Sequence, residues 1–97
     1  MNPQTAQDLF QTTRERWLEG ARHAARGLLR KRPRITIEDV LDIYPRPKYL
    51  HRNTTGSVFK DEMFQAIGYT TAKKFSSHGR VIRIWTLSDR YSDEREY

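Results

Sequence analysis

Residues 69–87, YTTAKKFSSHGRVIRIWTL, decide how the chain is read. Tyr69 to Phe75 has the composition of a strand, Ser76-Ser77-His78-Gly79 of a turn, and Arg80 to Leu87 of a second strand rich in β-branched and aromatic residues. Gly79 supplies the positive φ that a hairpin tip requires, and the serine hydroxyls can bond back to the turn. In the last strand, period-2 alternation puts Ile82 and Ile84 on one face and Val81, Arg83, Trp85 and Leu87 on the other. A β-hairpin is predicted, with His78 and Arg80 projecting from its tip.

Upstream of the hairpin the period is helical. Asn53 or Thr54 can cap a helix that turns Val58, Phe59, Met63, Ala66 and Ile67 inward and stops at Gly68. Before it, PRPKYLHR at residues 45–52 suits a basic connector. Ile37, Val40, Leu41 and Tyr44 fall at i, i+3, i+4 and i+7, which predicts a short helix capped by Thr36, with Asp39 completing a capping box and Pro45 ending it. Residues 2–31 read as a long amphipathic helix opened by Asn2 and Pro3, with the stripe Ala6, Phe10, Thr13, Trp17, Ala21, Ala24 and Leu28. Gly20 and Gly27 mark either a close approach of another element or a break into two helices, and the other face carries Arg14, Arg16, Arg22, Arg26 and Arg30. A continuous helix would outrun so small a core, and a second copy of the chain could cover the excess, so a homodimer through this helix is one expectation.

The predicted fold class is α+β and mostly α. It is a winged helix-turn-helix, with a three-helix core and a C-terminal hairpin wing, preceded by the long basic helix of residues 1–33. Residues 1–87 form the domain. Residues 88–97, SDRYSDEREY, have no apolar period and are expected to be a charged, flexible tail.

Composition narrows function. With 97 residues the chain has room for one modest core, and its 36% hydrophobic content is low, although eleven aromatic residues argue for a folded domain. The absence of cysteine excludes a disulfide scaffold, a thiol nucleophile and cysteine-containing zinc sites. No signal-peptide or membrane-spanning pattern is legible, which leads to the expectation of a cytoplasmic protein with no membrane partner. His23, His51 and His78 are far apart, and the acidic cluster Glu38, Asp39 and Asp42 lies where a helix dipole favours carboxylates. No catalytic residue, metal ligand or cofactor is predicted. The formal charge is +6, and because residues 88–97 hold four acids and two bases, residues 1–87 carry +8. Such a balance favours a polyanion, nucleic acid first.

The predicted third helix has the short polar residues that meet base edges, namely Asn53, Thr54, Thr55 and Ser57, together with Lys60. Lys48, Arg52, Lys73, Lys74, Arg80 and Arg83 flank it as phosphate clamps. Asn53 and Thr54 serve equally as caps, and His78 equally as a turn residue. Trp17 and Trp85 each belong to an amphipathic stripe and read as core.

Gly56-Ser57-Val58-Phe59-Lys60, Ile67-Gly68-Tyr69 and the run from Ser77 to Trp85 together resemble a pattern of small winged-helix DNA-binding proteins of bacteriophages, over residues 34–87. The resemblance implies a winged-helix fold and a nucleic-acid partner, double-stranded DNA, in transcriptional regulation or as an accessory to replication or recombination. It brings no set of binding residues with it. The rival readings are a module that binds and inhibits or redirects a host protein, and a binder of structured RNA.

Overall fold

A computed structural model describes residues 3–74 and 79–97, with side chains from Thr12 onward. The protein is α+β and mostly helical, with a two-stranded antiparallel hairpin after the helices. The first helix, α1 (Pro3–Lys31), is continuous. Gly20 therefore marks a close approach and no break: a Cβ there would overlap the phenol ring of Tyr44. The buried residues of α1 are Trp17, Leu18, Ala21, Ala25 and Leu29, while Ala24 and Leu28 of the expected stripe flank them half-buried. The apolar band is wider than one row of steps, and the packed row lies next to arginines that are themselves tied down.

Ile35 follows as an extended residue. Its N–H donates to the Trp85 carbonyl at 2.9 Å and its carbonyl accepts the Trp85 N–H at 2.8 Å. Helix α2 (Ile37–Ile43) is capped by Thr36, whose N–H donates to the Asp39 carboxylate at 2.8 Å, as the capping-box spacing predicts. Val40 is its fully buried residue.

The predicted third α-helix does not form. In its place stand a 3-10 helix, η1 (Arg52–Ser57), capped by His51 rather than by Asn53 or Thr54, and strand β1 (Phe64–Thr71), which begins before Gly68. The physical cause is tertiary. Arg22 of α1 donates from Nε to the Val58 carbonyl at 2.9 Å and from Nη2 to the Ser57 carbonyl at 2.7 Å, taking acceptors that a continuing helix would need. The Asp61 carboxylate accepts the Met63 N–H at 3.0 Å in a local turn, and residues 64–71 gain a strand partner instead.

Strand β2 (Val81–Leu87) pairs antiparallel with β1 in the register Phe64 to Leu87 through Thr71 to Val81, with a bulge between Ala66 and Gly68. Gly79, at φ 79°, has the left-handed conformation expected of the tip. The inner end of the hairpin enters the core, where Phe64 and Leu87 are buried and Trp85 stacks on Phe59 at 4.7 Å and 6°.

The C-terminal segment is not frayed. It forms a second 3-10 helix, η2 (Asp89–Glu94), docked on α1. Glu94 accepts from Arg26 Nε and Nη2 at 2.7 and 2.8 Å and from Arg30 Nη2 at 2.9 Å. The Glu96 N–H donates to the Arg30 carbonyl at 2.7 Å, satisfying one of the carbonyls left over at the end of α1.

Candidate nucleic-acid interface

Basic side chains outnumber acidic ones, and the fold sorts them into two populations. Four of the five arginines of α1 are engaged within the protein. Arg14 donates to Ser57 Oγ at 2.9 Å, Arg22 holds the end of η1, and Arg26 and Arg30 grip Glu94. Hydrogen bonding to Arg26, reinforced by Arg30, holds the Glu94 carboxyl below the usual carboxylate range, and the same contact raises the pKa of Arg26.

The second population lies on two runs without an Asp or Glu, residues 43–60 and 63–87. Lys48, Arg52 and Lys60 are exposed on the first run, and Lys73, Lys74, Arg80 and Arg83 on the second. Between the runs stand Asp61, held in its turn, and Glu62, paired with Arg90 at 3.2 Å.

The predicted contact residues take different environments in the fold. Asn53 is exposed, with its backbone N–H donated to His51 Nδ1 at 3.1 Å, and its side chain faces solvent. Thr54 is only 4% exposed, so it is a core residue and not a contact. Thr55 spends its hydroxyl on the Arg52 carbonyl at 2.9 Å, and Ser57 accepts from Arg14. These residues lie on a single stretch of 3-10 helix, so they do not form the face of an α-helix in a groove. The hydroxyls of Thr55 and Ser57 stabilise η1 and its seat on α1.

On the hairpin, α2 supplies the counter-charges. Glu38 accepts the backbone N–H groups of Lys73 and Lys74 at 2.8 and 2.7 Å, and the Lys74 ammonium pairs with Asp42, which raises its pKa. These carboxylates line the cleft between α2 and the hairpin with Thr70, Lys73 and Lys74. Lys74 is thus partly neutralised where it stands, whereas the side chains of Lys73 and Arg80 have no ion-pair partner among the described residues. Arg83 lies over the ring of Tyr69, its partner across the hairpin, at 5.8 Å. His78 lies outside the described residues.

Tyr69 and Tyr49, each 66% exposed, are large exposed side chains that the sequence reading does not place among the contact residues. Tyr69 was legible as a strand residue, but only the register with Arg83 shows which face it takes. Among the described residues no group of acidic residues and histidines is arranged to hold a metal, and no helix is long and apolar enough to cross a membrane. Comparison with protein families, with characterised proteins and with solved structures finds no match to the chain.

Proposed function

We propose that the chain is a non-catalytic nucleic-acid-binding protein whose partner is duplex DNA held chiefly through its phosphates. The observation that carries this reading is the division of the cations. Arg14, Arg22, Arg26 and Arg30 of α1 are consumed by internal contacts, while Lys48, Arg52, Lys60, Lys73, Arg80 and Arg83 remain exposed on stretches without acidic residues. Exposed cations without internal partners release counterions when they meet a polyanion, and that release drives association.

The order of helix, bridging residue, helix, helical turn and hairpin fits a winged helix whose third helix has contracted to η1. A contracted η1 supports backbone contact better than groove reading, so modest sequence selectivity is expected. In the bacteriophage setting that the sequence resemblance implies, such a protein serves as a transcriptional regulator or as an accessory to replication or recombination.

Fluorescence anisotropy on a 20-base-pair duplex between 50 and 200 mM salt tests the proposal. Log affinity should fall linearly with log salt, with a slope near −0.9 per phosphate contact, and Arg80→Ala and Lys60→Ala should each reduce the slope by roughly one unit. Absence of duplex binding at 50 mM salt, or a slope untouched by both variants, would overturn it in favour of a protein partner.

A further inference from the structure

The outer face of the hairpin is uncovered. Register partners Tyr69 and Arg83, and Thr71 and Val81, are all exposed, with Tyr69 at 66% and Val81 at 63%. The opposite face, with Gly68, Ile84, Thr70 and Ile82, is half-buried, and Thr70 and Ile84 line the cleft beside α2. The fold therefore presents an aromatic ring with a planar cation over one of its faces and the other face open to solvent, flanked by an aliphatic residue, on the part of the hairpin that leaves the core. Residues 63–87 contain no acid, and Lys73 and Arg80 stand at the two strand ends next to the tip.

We infer that this face is a stacking platform for an unpaired nucleobase, so that the preferred ligand is DNA with a single-stranded segment adjoining a duplex. The inference rests on the nucleic-acid reading and deepens it. An exposed aromatic face gains from a base because every base has a π surface, and a guanidinium adds a cation–π contribution. A paired base inside a duplex offers no free face, so the platform acts only on the unpaired strand. Charge complementarity selects this occupant: cations at the neck of the hairpin reach the phosphates on either side of a stacked base, while the carboxylates nearest the neck, Glu38 and Asp42, lie in the cleft beside α2. A second copy of the chain would bring Arg83, Lys73 and Arg80 against their own like charges.

The test uses the full chain and three fluorescent DNAs: a blunt duplex, the same duplex with a short deoxythymidine overhang, and the same duplex with an abasic overhang of equal length. The thymidine and abasic overhangs carry the same phosphates. The thymidine overhang should bind more tightly than the abasic one by about 5- to 150-fold, the range spanned by one base–aromatic stack. Tyr69→Ala should abolish that difference and leave blunt-duplex affinity within about twofold, while Tyr69→Phe keeps it. Equal affinity of the native chain for the two overhangs overturns the inference, and so does a Tyr69→Ala loss that is the same on both. A Tyr69→Ala change from dimer to monomer in sedimentation, with the overhang preference intact, would assign the face to self-association and also overturn it. Failure here alongside a normal Arg80→Ala effect on the blunt duplex leaves the phosphate-binding reading standing. Loss of all salt-dependent duplex binding would remove both.

Discussion

Two glycines of α1 provide an internal control on how the helix is packed. In a helix interior, replacing Gly by Ala gains roughly 1 kcal/mol because the unfolded chain loses freedom and the helix gains propensity. At Gly27 a Cβ would meet nothing within 4 Å, so the full gain should appear. At Gly20 the same Cβ would overlap the end of the Tyr44 ring. That ring cannot swing away freely, because it is half-buried and packs on Trp17 with centroids 5.8 Å apart. Forcing such a side chain aside costs about 1–3 kcal/mol, which cancels or exceeds the propensity gain. In a domain of this size 1 kcal/mol moves Tm by about 4–8 °C. Thermal unfolding followed by far-UV circular dichroism should therefore place Gly27→Ala about 4–8 °C above the native chain and Gly20→Ala level with it or below. Adding Gly20→Ala to a Tyr44→Ala chain should restore the gain of about 1 kcal/mol, since the obstacle is gone. If Gly20→Ala raises Tm as much as Gly27→Ala in the native background, the packing of Tyr44 against α1 is not as described.

Other perturbations address the remaining joints of the fold. Glu94 is held ionised below its ordinary pKa, so its contribution is present above the unfolded value of about 4 and is lost as pH falls through the lowered folded value. Glu94→Gln should lower Tm at pH 7, and the gap between variant and native should close on acidification. A gap that does not depend on pH would mean that the carboxylate charge is not what holds η2. Arg22→Ala should cost about 1–3 kcal/mol in urea unfolding, because it leaves the Ser57 and Val58 carbonyls without their charged donor. Trp85→Ala removes the stack on Phe59 and should cost about 3 kcal/mol, a large part of the stability available to a small domain; an unchanged urea midpoint would show that the indole is dispensable to the core.

Local chemistry made several elements readable from the sequence. The capping-box spacing from Thr36 to Asp39 and the i, i+3, i+4, i+7 pattern of Ile37, Val40, Leu41 and Tyr44 predict α2, because both signals are completed within one or two turns. The alternation of residues 81–87 and the glycine at position 79 predict β2 and its tip for the same reason: period and φ are properties of neighbours along the chain. Residues 53–68 depart from the predicted helix because their alternatives are close in local energy and distant groups decide between them. Arg22 captures the carbonyls that would carry a helix past Ser57, and β2 offers strand pairing to residues that the helical period also accommodates. The acidic tail shows the same limit. Nothing in SDRYSDEREY indicates an ordered element, yet Glu94 finds Arg26 and Arg30, about 64 to 68 residues earlier in the chain, and η2 forms around that contact. The candidate interface divides along the same line. That the chain is basic, and where its cations stand in order, is a property of composition; which cations are spent inside and which face solvent depends on three-dimensional proximity. Tyr69 and Arg83 are fourteen residues apart, and only the antiparallel register brings the guanidinium over the ring.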